Sequence, residues 1–357
     1  MNIAILGGGN GCYAAAADLA QAGHRVRLWR RDAAALQPVI DSGSIVLKDT
    51  DGRREVAIER ASADIGDAMR GAQLIVMPSP AIAQGDIARA MGPHLADGQV
   101  VFLPPGTFGS VAMARAARAA GSRARVAWAE TGTLPYLTRK HGPREVHITV
   151  RAVRLPTGVY PAREADRALA VIREAFPSVH GCGDALSGAL MNAGPVIHPP
   201  LVVMNAAPLQ HFERWDIHNE GTQPAVRAVT DRLDAERIAV REALGYGAPH
   251  YPLADHYLND RWMYGDAHKK LVKSGDWREH IDLHHHRYVS EDIELGLAFL
   301  ASVARWIGVD APVAHGLLGV AGGFLGRDLR RGPRTLDAMG LASHSREAMQ
   351  RLLQEGE

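Results

Sequence analysis

The chain of 357 residues has only two cysteines, Cys12 and Cys182, so no disulfide framework holds it together. It carries almost no net charge, with 40 lysines and arginines against 39 aspartates and glutamates. Following a nucleic-acid backbone takes a basic surplus gathered on one face, so nucleic acid is not an expected partner. No run of about 18 apolar residues occurs, so no membrane-spanning helix is expected. The N-terminus, Met1-Asn2-Ile3-Ala4-Ile5-Leu6, places no basic stretch ahead of its apolar residues and does not read as a signal peptide. A cytoplasmic location is the expectation. Low-complexity tracts and internal repeats are also missing. What is left is an ordinary folded composition, 46% hydrophobic and 22% charged, too long for one core and comfortable for two.

The first half alternates short apolar runs with longer Ala-rich stretches. Residues 2–6, 25–29, 73–77 and 99–103 read as strands, with 126–129 and 146–150 as later candidates, and a helix is expected from Gly11 to Ala22. Continuous apolar strands alternating with helices predict an α/β domain with a doubly wound parallel sheet. From about Asp184 strand signals fade, and segments such as 225–244 and 290–307 carry helical spacing. The chain therefore reads as a Rossmann-type domain over residues 1–183 and a mostly α-helical second domain over 184–357. Residues 345–357 read as a short exposed helix.

Gly7-Gly8-Gly9-Asn10-Gly11 follows the first strand and opens a helix, as a pyrophosphate-binding turn must. Glycines permit the tight turn and the close approach of backbone N–H groups to phosphate, and the helix N-terminus adds its positive end. The third glycine of the usual pattern falls at Cys12, and Ala14–Ala17 supply small residues for packing. Gly7, Gly9, Asn10 and Gly11 are thus expected to bind a dinucleotide; the bland alternative is a turn without a ligand. An acid after the second strand would accept both ribose hydroxyls, but the chain reads Trp29-Arg30-Arg31-Asp32. A guanidinium fork suits a phosphate, so Arg30 and Arg31 predict NADP(H). If both arginines are merely solvated and Asp32 takes the ribose, the cofactor is NAD(H).

Three later segments carry a family likeness: Glu130-Thr131-Gly132-Thr133-Leu134-Pro135-Tyr136, Asn192-Ala193-Gly194-Pro195-Val196-Ile197-His198-Pro199 and Arg287-Tyr288-Val289-Ser290-Glu291-Asp292. In this order, together with the glycine turn, they resemble the opine dehydrogenase family over nearly the whole chain. The resemblance implies reductive condensation: a 2-oxo acid and an amine or amino acid form an imine, which a nicotinamide cofactor reduces to a secondary amine. It further implies a catalytic His–Asp pair at His198 and Asp292 and a substrate-binding arginine at Arg287. A homodimer formed through the helical domain is expected.

The chemistry supports such a pair on its own terms. Reduction at a carbonyl or imine carbon leaves the adjoining oxygen or nitrogen in need of a proton, and histidine titrates near neutrality. A neighbouring carboxylate fixes its tautomer and favours the imidazolium. His198 sits in a Pro-flanked stretch that reads as a rigid loop, and Asp292 at the apparent start of an apolar-periodic helix, where a carboxylate is welcome. The alternatives are a satisfied core histidine and a first-turn helix acid, with Glu291 the nearest competitor for the carboxylate role. Arg287 would grip a substrate carboxylate through two parallel hydrogen bonds. Glu130 and Thr131 follow a strand, where open α/β sheets place ligands, and could contact substrate or cofactor ribose; a turn with a helix cap explains them equally well.

His284-His285-His286 invites a metal reading, but three consecutive side chains do not converge on one ion from a regular element, and no metal is expected. Cys12 lacks a base and acceptor pattern and reads as packing against the turn. Two other functions stay open. A reductase of a small oxo or hydroxy acid without an amine would rely on a lysine, for which Lys269, Lys270 and Lys273 are available. A non-catalytic nicotinamide sensor would need only the glycine turn.

Overall fold

The computed structural model describes all residues from Met1 to Glu357. Contacts divide them into two units, Met1–Ala189 with Leu352–Glu357, and Leu190–Arg351.

The first unit contains twelve strands: β1 (Asn2–Leu6), β2 (Arg25–Trp29), β3 (Ser44–Asp49), β4 (Gly52–Ala57), β5 (Arg60–Ser62), β6 (Leu74–Val76), β7 (Val100–Leu103), β8 (Ala127–Thr131), β9 (Tyr136–Lys140), β10 (Glu145–Arg151), β11 (Leu155–Tyr160) and β12 (Val179–Asp184). Eight form one sheet in the order β12-β11-β8-β7-β6-β1-β2-β5. Every pair in it is parallel except β8 with β11. The chain runs outward from β1 in both directions, through β2 to β5 and through β6 to β8. The crevice at such a switch point, outside the carboxyl ends of the strands, is where open α/β sheets bind ligands. The strands expected from apolar runs are all present. The 146–150 run, however, lies in a second sheet of order β4-β3-β10-β9, which the apolar pattern did not anticipate because β4, β9 and β10 are largely half-buried or exposed.

Helix Asn10–Gln21 explains its own composition. It packs on β1 and β2 of the large sheet and on β3, β4, β9 and β10 of the small one. From Gly11 to Ala17 no side chain has appreciable exposure. A helix pressed between two sheets has room only for small residues on most of its surface. Ion pairs join the helix to the small sheet: Arg151 Nη2 lies 2.6 Å from Asp18 Oδ1 and 2.7 Å from Asp49 Oδ2. Arg54 completes the cluster on Asp49, whose carboxyl these cations hold well below the usual range.

The expected boundary at residue 183 falls inside β12. Helix Ala185–Ala189 lies on β8, β11 and β12 and therefore belongs with the sheet. Glycine makes this possible, because a Cβ on Gly158 would stand 2.0 Å from the Asp184 carbonyl oxygen and 2.7 Å from Gly188 N. The last helix, Arg346–Glu355, is amphipathic rather than simply exposed, with Met349 and Leu353 buried.

The second unit is helical. Helices Gly194–Met204, Ala298–Ile307 and Pro312–Leu325 pack on a π-helix, Tyr288–Leu297, and helix Pro224–Ala243 packs on those three helices. Its interior holds one fully partnered ion pair. Arg237 Nε donates to Asp234 Oδ1 at 2.6 Å and its remaining nitrogens to the Leu190 and His250 carbonyls, while Asp234 Oδ2 accepts from Leu253 N. With hydrogen bonds on both partners, such a pair costs little to bury and fixes the segments it joins.

Candidate active-site residues

The glycine turn is shaped for close approach. Gly7 adopts φ +130°, and a Cβ there would stand 2.2 Å from Ser79 Oγ and 2.7 Å from Cys12 Sγ. Ser79 Oγ in turn donates to the Leu6 carbonyl at 3.0 Å, tying the Pro78-Ser79-Pro80 loop onto the turn. Gly9 caps helix Asn10–Gln21 without a side-chain hydrogen bond, the first turn holds no acid, and a Cβ on Gly9 would meet open space. Uncapped N–H groups at a helix N-terminus beside open space suit a dinucleotide pyrophosphate. Asn10 turns aside, its Oδ1 accepting from the backbone N–H of Lys140 at 3.0 Å. Cys12 is packing, as its residue pattern suggested, and burial pushes its thiol up rather than activating it.

The two arginines after β2 part company. Arg30 lies across the turn, its Cδ 2.5 Å from where a Gly8 Cβ would be. Arg31 points outward, with Asp86 at 3.8 Å. Asp32 caps helix Ala33–Ser42, its Oδ1 accepting from Ala35 N at 3.0 Å.

Glu130 and Thr131 end β8 inside the first unit. Both are fully buried. Glu130 Oε2 accepts from Phe108 N at 2.7 Å, and Oε1 from Ser110 N at 3.1 Å and from the Ser110 hydroxyl. The carboxylate thus serves the open N-terminus of helix Gly109–Ala119, which has no cap of its own. Thr131 Oγ1 donates to the Pro156 carbonyl at 2.7 Å and clasps β8 to β11. Neither side chain offers a surface to substrate.

In the second unit His198 and Asp292, 94 positions apart, meet: Nδ1 lies 2.7 Å from Oδ2. Their settings differ from those the sequence suggested. His198 is not on a loop but in helix Gly194–Met204, which carries Pro195 in its first turn and Pro199 and Pro200 inside. Asp292 is not in the first turn of an α-helix but the fifth residue of the π-helix, a rare winding that often marks functional sites. The helix N-terminus nearest Asp292 is that of the His198 helix, where a Cβ on Gly194 would stand 2.2 Å from Asp292 Oδ1. Burial pushes the Asp292 carboxyl up to about 7, against the pull of the Arg287 charge. The carboxylate, stripped of water, is served by the imidazole instead, and this contact commits Nδ1.

Aromatic contacts hold the ring. Tyr288 stacks on His198 with centroids 3.8 Å apart and planes 16° from parallel, and His218 meets both rings edge-on. Arg287 lies over the other neighbour in this column, its Cζ 5.0 Å from the Tyr288 centroid. Its side chain is 49% exposed and lies 3.9 Å from Glu291 Oε2, too far for a hydrogen bond but within reach of the charge. Glu291 is buried and takes no part in the His198 contact. Tyr288 and Gly194 lay within the family-like segments without roles of their own, and nothing in the spacing pointed to His218. In the histidine tract His285 bonds Asp282 at 2.7 Å and His286 sits edge-on to Tyr288, so these two rings serve different partners.

A nucleotide-binding sheet with an open glycine turn and a helical unit carrying a carboxylate-oriented histidine beside an exposed arginine define a two-domain nicotinamide-dependent oxidoreductase. Residues 181–325 match the family described as NAD/NADP octopine/nopaline dehydrogenase, alpha-helical domain, and residues 2–117 match the NAD-dependent glycerol-3-phosphate dehydrogenase N-terminus. Along nearly its whole length the chain is similar to opine dehydrogenases. It is 27% identical to an opine dehydrogenase of Arthrobacter sp. (strain 1C) over 346 residues, 95% of each chain. Among solved structures it is similar to octopine dehydrogenase with NADH and L-arginine, with TM-score 0.70, 18% identity and coverage of 97% of this chain and 99% of that one. It is also similar to yersinopine dehydrogenase with NADP+ bound, with TM-score 0.67, 16% identity and coverage of 99% and 98%. At these identities the solved structures speak for the fold.

Proposed function

We propose that this chain is an opine-type dehydrogenase that joins a 2-oxo acid to an amino acid or other amine, with NADP(H) as its preferred cofactor. The observation that carries the reading is the 2.7 Å contact between His198 Nδ1 and Asp292 Oδ2. Overall, oxo acid, amine, reduced cofactor and a proton give a secondary amine, oxidised cofactor and water. The turn Gly7–Gly11 and the N-terminus of helix Asn10–Gln21 would hold the dinucleotide, which supplies the hydride. His198 handles protons through Nε2: it delivers one to the carbonyl oxygen that leaves as water, and Asp292 stabilises the imidazolium throughout. Arg287, exposed and only loosely paired with Glu291 at 3.9 Å, receives the carboxylate of a substrate through its fork.

The cofactor preference rests on Arg30, which lies across the glycine turn, and on Asp32, whose oxygen is occupied as a helix cap and is poorly placed to read ribose. A homodimer through the helical unit is part of the same reading, supported by the exposed apolar side chains Met204, Phe212, Leu258 and Val320. The test is a matrix of oxo acids against amines followed by NADPH absorbance. Oxidation should require both substrates, and NADPH should have the lower KM. His198→Ala should lower turnover at least ~100-fold while cofactor binding is retained. Near-normal turnover in that variant removes the histidine from the mechanism, and oxidation without an amine favours the simple oxo-acid reductase, despite the exposed position of Lys269, Lys270 and Lys273.

A further inference from the structure

We propose that Lys140 joins Arg30 to bind the 2′-phosphate of NADP(H), a cation supplied by the small four-stranded sheet rather than by the nucleotide-binding one. This rests on the cofactor preference proposed above. Lys140 is the last residue of β9, and its backbone N–H donates to Asn10 Oδ1 at 3.0 Å, which fixes the strand end against the first residue of the cofactor helix. Its ammonium lies 3.5 Å from the centroid of the Tyr13 ring, one helical turn below the glycines. Arg30 covers the same turn from the end of β2, and Tyr13 feels its charge as well.

The groups that face Lys140 are Arg30, from the end of β2, and Cys12 and Tyr13, from the helix. Cys12 and Tyr13 are both pushed upward by burial and stay neutral, and Arg30 meets the exposed Asp32 carboxylate only at 3.9 Å, beyond hydrogen-bond distance, so the two cations are weakly balanced. Half-buried like charges beside one another oppose folding unless an anion joins them. Burial and Arg30 together push the Lys140 ammonium down to about 8. The pyrophosphate has the backbone N–H groups of the turn, whereas the end of β2 is where ribose substituents are read. The side chain electrostatically linked to Arg30 therefore belongs to the ribose phosphate.

Calorimetric titration of the full chain with 2′,5′-ADP and with 5′-AMP tests this without turnover. Lys140→Met should weaken 2′,5′-ADP by about tenfold or more, the loss of one charge-assisted hydrogen bond, and leave 5′-AMP within about twofold. In the wild type the preference for 2′,5′-ADP should fall as pH rises past about 8, because the bound anion needs the protonated amine. Lys140→Arg should keep the preference and abolish that fall, a rescue that simple packing on Tyr13 does not produce. Equal weakening of both ligands by Lys140→Met, or no change in either, overturns the proposal. A wild type that binds both ligands equally defeats the NADP(H) reading and this assignment with it; a selective wild type whose preference survives Lys140→Met defeats only the assignment to Lys140.

Discussion

Two buried carboxylates, one in each unit, make an instructive pair. Glu130 and Asp292 both lie against helix N-termini and both are withdrawn from water. Glu130 is satisfied by two backbone N–H groups and a hydroxyl, so its charge is spent on holding the helix that starts at Gly109. Asp292 instead has an imidazole, a partner that can itself gain and lose a proton. The family-like motifs presented Asp292 as catalytic and left Glu130 divided between a substrate or ribose contact and a helix cap. What separates them is the partner: fixed donors make a carboxylate structural, and a titratable one makes it available to chemistry.

Asp292→Asn should break the comparison most sharply. Turnover should fall on the order of 100- to 10,000-fold, because the amide holds the wrong tautomer, while dinucleotide affinity is unchanged. Turnover within a few-fold of wild type would reduce Asp292 to the standing of Glu130. Gly194→Ala comes next. Its Cβ would press on Asp292 Oδ1, and displacement of the pair should cost about 10- to 100-fold in kcat. Movement of the pH–rate profile in that variant, with cofactor binding intact, separates misplacement of the pair from general damage.

Glu130→Gln should do the reverse. It weakens the hydrogen bonds to Phe108, Ser110 and the Ser110 hydroxyl and should cost about 1–3 kcal/mol of stability in urea unfolding, with kcat within a few-fold of wild type. A selective rise in substrate KM with stability unchanged would return Glu130 to the substrate site. The smallest effect is on pH dependence. Asp292 has a folded value of about 7 against an ordinary 3.8, so between these the folded chain holds a proton that the unfolded chain has released. Its contribution to stability therefore falls as pH rises through that window and is level above it. Asp49, held down by Arg54 and Arg151, contributes with the opposite sign: its stabilisation is present above its ordinary value of 3.8 and is lost as pH falls. Subtracting the Asp292→Asn unfolding profile from that of the wild type between pH 4 and 8 should expose the first slope, and a flat difference would contradict the burial of that carboxyl.

Much of the first unit was legible because its signals are local. Strand β1 is an apolar run buried on both faces, β2 sets two arginines among its buried Val26, Leu28 and Trp29, and the glycine turn is one contiguous motif. The small sheet was not legible: Gly52–Ala57 and Tyr136–Lys140 alternate too weakly, with most of their side chains partly exposed, to announce strands. In the second unit the His198–Asp292 pair came from the likeness to a family, since spacing alone cannot say that residues 94 apart will touch. The local settings of both were misjudged for physical reasons. Three prolines around His198 suggest a loop, yet Pro195 stands in the first turn, where its missing N–H costs nothing. The π-helix has no apolar period distinct enough to separate it from the α-helix that follows. Lys140 was invisible because its meaning depends on Tyr13 and Arg30, each more than 100 positions away in the chain.

The alanines of helix Asn10–Gln21 have a consequence for how variation in this chain should be interpreted. None of Ala14, Ala15, Ala16 and Ala17 has a functional group, yet each is sealed between two sheets. In a saturation screen this stretch should tolerate as little as the glycines ahead of it, because an added methylene on either side would push the sheets apart and swing the turn with them. Intolerance there would report on volume, and a mutational map alone would mistake a spacer for a catalytic segment.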